Sequence, residues 1–214
     1  MQLNSSRLFI REYFRSFHTT GAILPSGGPL ARALIAPLDE YSGPRRILEA
    51  GPGTGAVTAH LLGKLRPGDR LTLCELNPAF VEHLQRRIET DPKWSRFQSQ
   101  IDLVSSDVGE HLTPETYHLV ISGLPLNNFQ PERVRELIDA FLASLVPGGS
   151  HTFFEYQALR ALRMRLDPNQ AERARLREVD QSVRTGISGY PHHRVRVCRN
   201  VPPAWVYVVR RPSS

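Results

Sequence analysis

The segment Glu49-Ala50-Gly51-Pro52-Gly53-Thr54-Gly55 has the composition of a ligand-binding turn. It follows RRILEAG, which reads as a strand, and opens AVTAHLLGKL, which reads as a helix. Glycines there let the backbone turn sharply and approach a bound molecule closely, and the first turn of the helix adds unpaired N–H groups. Taken alone the segment is ambiguous. Gly51, Gly53 and Ala56 also satisfy the loose dinucleotide fingerprint, and a tight turn that binds nothing is a third reading.

Two carboxylates sharpen the choice. Glu75 ends the second expected strand, DRLTLCEL, twenty residues after Gly55. An acid there can accept hydrogen bonds from ribose hydroxyls. Asp107 follows the third strand, SQIDLVSSD, where a carboxylate can accept from an adenine amine. Both fall at the C-terminal edge of the sheet, where open α/β sheets bind ligands. For Asp107 a solvated turn residue is an equally good reading. Farther on, Gly189-Tyr190-Pro191-His192-His193-Arg194 offers Tyr190, His192 and Arg194 as charge-assisted donors to a phosphate, against a plain structural turn. No cysteine or carboxylate stands beside the two histidines at ligand spacing, so no metal site is expected.

The elements that must position these groups alternate. Helices are expected at 29–41, 56–65, 78–90 (opened by Pro78) and 131–145, with strands at 116–125 and 150–157 between and after them. This rhythm predicts an α/β fold, a mostly parallel sheet covered by helices on both faces. RVRVCRNV and AWVYVVRR form a terminal hairpin broken by Pro202 and Pro203. Residues 158–182 are arginine-rich with Pro168 near the middle, and read as two short helices outside the core. Residues 5–17 read as a first helix in which Arg7, Arg11 and Arg15 form a basic stripe. Phe9, Tyr13 and Phe17, widened by Ile10 and Phe14, form an apolar one.

The chain has 214 residues and a net charge of +6, which fits one domain and favours polyanionic partners. Lys64 and Lys93 are its only lysines, so arginine carries the excess. No apolar run is long enough to span a bilayer, and the charged N-terminus is unlike a secretory signal. A cytoplasmic location is therefore expected. Cys74 and Cys198 each lie in a strand-like run and are expected as buried free thiols.

The E-x-G-x-G-x-G turn, the acid ending strand two, the acid after strand three and the terminal hairpin together resemble a class I S-adenosylmethionine-dependent methyltransferase, over roughly residues 20–214. The resemblance implies a Rossmann-like seven-stranded sheet. It places S-adenosylmethionine, and the product S-adenosylhomocysteine, against Glu49, Gly51, Gly53, Gly55, Glu75, Leu76, Asp107, Val108 and Ser122. Ser122-Gly123-Leu124-Pro125-Leu126-Asn127-Asn128-Phe129 would then face the departing methyl group. There the carbonyls near Leu124 and the Asn127 amide oxygen can accept an amine's hydrogens. Phe129 can stabilise the cationic nitrogen through its ring face.

That loop is similar to the NLPY-like motif of ribosomal RNA adenine dimethylases, but Leu126 stands where that motif has an aromatic. A flipped base usually needs a stacking face. SGLPLNNF, with GAILPSG after the first helix, resembles more closely the bacterial phospholipid N-methyltransferases related to those dimethylases. This resemblance implies methylation of phosphatidylethanolamine toward phosphatidylcholine. It makes Asn127, Leu124 and Tyr190 the catalytic set and Tyr190, His192 and Arg194 the phosphate-holding set. Residues 1–28 become an amphipathic helix and substrate lid, and 29–214 the methyltransferase domain with an arginine-rich helical insertion at 158–190. Arg7, Phe9, Arg11, Tyr13, Phe14 and Arg15 suit a helix lying in a membrane interface. The expectation is a monomer, peripheral on the inner face of the cytoplasmic membrane, with lipid rather than nucleic acid as its partner. Methylation of another lipid amine, such as an ornithine lipid, and of RNA adenine are the alternatives.

Overall fold

The computed structural model describes residues 27–156, 169–200 and 203–213. The expected first helix with its basic and apolar stripes, and most of the lid segment, lie outside the described residues.

Central strands buried on both faces are written as near-continuous apolar runs. β1 (Arg46–Ala50) is one such strand, buried at every position after Arg46. β2 (Arg70–Glu75), β3 (Ile101–Ser105), β4 (Tyr117–Ser122) and β5 (Leu145–Tyr156) run parallel to it. β6 (His192–Val197) and β7 (Ala204–Arg210) form the terminal hairpin, and β7 lies antiparallel to β5. The order is β3-β2-β1-β4-β5-β7-β6. This is the mostly parallel seven-stranded sheet expected from the sequence, and its order reverses between β1 and β4.

Helices cover both faces. α1 (Gly28–Ile35), α2 (Thr58–Leu62), α3 (Pro78–Thr90) and α4 (Pro92–Ser95) pack their apolar sides on Ile47, Leu71, Leu73, Leu119 and Val206. The other face carries α5 (Val108–His111), α6 (Pro131–Ser144) and α7 (Gln170–Ile187) over Leu48, Val120, Phe153 and Val209. Asn77 caps α3 by accepting from the Ala79 N–H, and Pro78 fills its first turn.

Three expectations change. The arginine-rich region was expected as two helices outside the core. The part after Pro168, Gln170–Ile187, is a helix, but it packs into the core through buried Leu176, Val179, Val183 and Ile187; the part before it, residues 157–168, lies outside the described residues. The spacing of those four residues is helical, but charged neighbours dilute it. The helix expected at 29–41 breaks at Ile35 into a 3-10 turn, Ala36–Glu40, that holds Pro37. Cys74 is a buried thiol, whereas Cys198 is exposed in the turn after β6.

Candidate active site

Ligands of open α/β sheets bind where the strand order reverses. Here that point lies between the turn after β1 and the turn after β4. The two turns meet backbone to backbone. The Gly123 N–H donates to the Ala50 carbonyl at 2.8 Å, and the Gly51 N–H to the Cys74 carbonyl at 2.9 Å. A Cβ on Gly123 would lie 2.7 Å from the Gly51 oxygen.

Gly51, Gly53 and Gly55 all have positive φ, +72°, +56° and +79°, a region that L side chains rarely enter. Their surroundings differ. A Cβ on Gly51 would meet the Leu124 side chain at 2.8 Å, and one on Gly55 the buried Trp94 ring at 2.5 Å. A Cβ on Gly53 would meet nothing within 4 Å. The first and third glycines serve internal packing, and the second faces open space beside Glu75. Arg87 of α3 steadies the turn from behind: it donates to the Thr54 carbonyl at 3.2 Å and lies 4.0 Å over the Trp94 ring.

Glu75 is buried at the end of β2. Its Oε2 accepts from the Gly53 N–H at 3.0 Å, and its Oε1 from the Leu76 and Asn77 N–H groups at 3.0 and 2.9 Å. Burial raises its pKa, against the lowering effect of these three donors. Glu49 lies deeper, accepts from the Thr58 hydroxyl at 2.7 Å, and is pushed up to about 7 by burial, which that hydroxyl opposes and nearby Glu75 reinforces. Glu75 thus stands directly beside the open face of Gly53 with Glu49 buried behind it, and Leu76 exposes its side chain nearby. An open glycine face, a carboxylate at the strand end and an apolar rim fit the polar and planar parts of a nucleoside cofactor.

Asp107 caps α5 instead of standing free. Its Oδ1 accepts from the Gly109 N–H at 2.8 Å and from Arg133 at 2.7 Å. An adenine amine would have to use the other oxygen. Val108 is buried in the first turn of α5. Ser122, buried at the end of β4, accepts from the Leu124 N–H at 3.3 Å.

The loop after β4 is half-buried and turns through a 3-10 segment, Leu126–Asn128. The Leu124 carbonyl accepts from the Leu126 N–H at 3.0 Å, which leaves a second lone pair for a substrate donor. The Asn127 and Phe129 carbonyls face α7, where Arg175 holds them at 2.8 and 2.7 Å. Sequence reasoning missed Arg175 because nothing distinguishes it from the arginines around it.

Tyr190, His192 and Arg194 lie on or just before β6, at the edge of the sheet, three strand positions from β4. Pairing aligns His192 through Val209, His151 and Val120 with Leu48, in the middle of β1. Three inter-strand spacings of about 4.8 Å separate β6 from β4. Tyr190 precedes β6 and lies lower still, packed on the core under α6 and α7. Arg194 stacks over Trp205 at 4.4 Å. β6 nevertheless runs parallel to β1 and rises toward the C-terminal edge: Arg194 aligns through Tyr207 and Phe153 with Ser122 and Ala50, level with the turns after β4 and β1, whereas His192 and Tyr190 start below that edge. Among the described residues no cluster of His, Cys, Asp and Glu could hold a metal ion, and no helix is long and apolar enough to cross a membrane.

The Glu75 geometry yields a prediction. Glu75→Ala should weaken S-adenosylmethionine binding by about 1.5–3 kcal/mol, the worth of hydrogen bonds to a charged group. Calorimetry on protein that melts as a single transition measures this, and affinity within about twofold of wild type would make Glu75 a turn residue only.

Comparison with known proteins agrees with this arrangement. Residues 47–149 match the methyltransferase domain family. The chain is 27% identical over 150 residues to an ornithine lipid N-methyltransferase of Singulisphaera acidiphila, covering 67% of this chain and 73% of that protein. Its fold is similar to that of a Burkholderia thailandensis 1,6-didemethyltoxoflavin-N1-methyltransferase solved with S-adenosylhomocysteine. That match has a TM-score of 0.65 at 19% identity and covers 99% of this chain and 91% of that one. A Haemonchus contortus N-methyltransferase solved with phosphomonomethylethanolamine and S-adenosylhomocysteine matches with a TM-score of 0.59 at 10% identity, over 87% of this chain and 53% of that one. The open face of Gly53, the acid beside it, the matched domain and the shared fold together support one assignment, a class I S-adenosylmethionine-dependent methyltransferase.

Proposed function

We propose that this methyltransferase acts on the amine of a membrane lipid head group. The observation that carries the proposal is the similarity to an ornithine lipid N-methyltransferase over 150 residues. The loop from Leu124 to Phe129 supports it, since it offers carbonyl and amide acceptors but no aromatic directly after Pro125. In this reading S-adenosylmethionine, held by the turn from Gly51 to Gly55, by Glu75 and by Leu76, supplies an electrophilic methyl on a sulfonium. The protein's part is positional. Acceptors at Leu124 and Asn127 take the N–H hydrogens of a neutral amine and aim its lone pair. A C–N bond forms as the S–C bond breaks, and the added positive charge leaves the nitrogen as a proton.

Phosphatidylethanolamine and ornithine lipid both present a primary amine. The curated relative favours ornithine lipid, while Tyr190, His192 and Arg194 carry the sequence argument for a phosphate in the head group. At the membrane, the basic stripe of Arg7, Arg11 and Arg15 beside Phe9, Tyr13 and Phe14 would add about 1 kcal/mol per arginine near an anionic surface.

The test incubates the full chain with labelled S-adenosylmethionine and, separately, vesicles of phosphatidylethanolamine, vesicles of ornithine lipid, and RNA. Label is expected in lipid, more on vesicles that also contain anionic lipid, and less at high salt. Arg7→Glu/Arg11→Glu/Arg15→Glu should abolish the preference for anionic vesicles while cofactor binding survives. Label in RNA alone would move the assignment to an adenine methyltransferase.

A further inference from the structure

We propose that Arg175 is a positioning residue for methyl transfer, a clamp by which α7 sets the peptide planes of the substrate loop. The proposal rests on the reading of Leu124–Phe129 as the amine site.

The geometry is specific. Arg175 lies in the second turn of α7 with its side chain only 20% exposed. Its Nη1 donates to the Phe129 carbonyl at 2.7 Å, and its Nη2 to the Asn127 carbonyl at 2.8 Å. The other edge of the guanidinium grips Glu172, with Nε to Oε2 at 2.8 Å and Nη2 to Oε1 at 2.5 Å. Glu172 is itself fixed in the first turn, where its N–H and that of Ala171 donate to the Asn169 side chain. One planar group is therefore held along one edge by its own helix and presents its remaining donors to two carbonyls about 46 residues away.

The loop's own turn uses neither of those two carbonyls. Its internal bonds run from Leu126 to Leu124, from Asn128 to Pro125 and from Phe129 to Leu126. Orienting the Asn127 carbonyl fixes the peptide after Asn127, and orienting the Phe129 carbonyl fixes the peptide after Phe129. The side chains assigned to amine orientation and to the cationic nitrogen then inherit their direction from α7. Lysine cannot reproduce this, because a flexible ammonium lacks the rigid fork. Arg177, on the exposed side of the same helix, touches none of it and serves as a control.

The experiment compares wild type, Arg175→Gln, Arg175→Lys and Arg177→Gln. It measures kcat and KM on vesicle lipid, S-adenosylhomocysteine affinity by calorimetry, thermal melting, and amide exchange at residues 126–129 with S-adenosylhomocysteine bound. Arg175→Gln is expected to lower kcat at least about tenfold, within the roughly hundredfold that a 1 Å misplacement can cost. Its product affinity should stay within about twofold, and the loop amides should exchange faster. Arg175→Lys should recover part of kcat, and Arg177→Gln should match wild type. The clamp is overturned if Arg175→Gln keeps kcat within about twofold of wild type. It is equally overturned if kcat falls only in step with product affinity and melting temperature. Failure of the lipid reading looks different: the wild type would methylate none of the amines. Amide exchange then decides alone, faster loop exchange in Arg175→Gln supporting the clamp and unchanged exchange overturning it.

Discussion

Gly53→Val should give a folded protein that binds S-adenosylmethionine poorly. Gly53 has a φ of +56°, so any L side chain there carries the strain of left-handed backbone, about 1–2 kcal/mol. The protein can absorb that, because no atom lies within 4 Å of the new Cβ. A cofactor bound along the turn would meet the valine methyl groups directly. Overpacking of that kind costs about 1–3 kcal/mol, which corresponds to roughly a 5- to 150-fold loss of affinity. The neighbouring glycines are the contrast. Alanine at Gly55 would press on the Trp94 ring, and alanine at Gly51 on Leu124, so both should lower the melting temperature of the cofactor-free protein more than Gly53→Ala does. Calorimetry with thermal melting separates the two effects. Undiminished affinity in a folded Gly53→Val protein would show that the cofactor lies elsewhere.

The cofactor half of the site was legible because it is local. Strand, glycine turn and helix are contiguous between Arg46 and Leu62, and Glu75 ends a strand whose apolar run announces it. Pro78 marked the start of α3 for the same reason: the cap and the first turn depend only on adjacent residues. Gly53 could be named from sequence, but not set apart from Gly51 and Gly55. That difference depends on Leu124 and Trp94, which arrive from distant segments.

The substrate half depends on register and on packing between remote elements. The stretch from Tyr190 to Arg194 has the chemistry of an anion site, yet its place is set by how β6 pairs with β7, and spacing along the chain does not encode that pairing. Arg175 is one arginine among several until α7 docks. Asp107 was rightly placed at a strand end, but its engagement by Arg133 required α6 to fold back beside α5.

The same limit hid the strongest buried charge contact among the described residues, and it sets the last expectation. Asp69→Ala should destabilise the protein by about 3–5 kcal/mol, because it strands a buried guanidinium. Arg45 and Asp69 are both fully buried, 2.5 Å apart, at the N-terminal ends of β1 and β2. Arg45 also donates to the Leu38 and Lys64 carbonyls, and Asp69 accepts from the Arg45 and Arg66 N–H groups. The pair thus ties the 3-10 turn after α1, the end of the α2 region and two strand starts at the edge opposite the cofactor. Burial pushes the Asp69 carboxyl up, but Arg45 and the backbone donors outweigh it and hold its pKa below the usual range. A carboxylate with a lowered folded-state pKa contributes stability above its unfolded pKa and loses it as pH falls through the folded value. Wild type should therefore lose stability more steeply on acidification than Asp69→Asn. Replacing both partners, as Arg45→Met/Asp69→Leu, should cost much less than either single change, since apolar packing can stand in for a buried pair but not for half of one. Urea midpoints across this double-mutant cycle give the coupling directly. Asp69→Ala within about 1 kcal/mol of wild type would show that water reaches Arg45 and that the pair is not the staple of this edge.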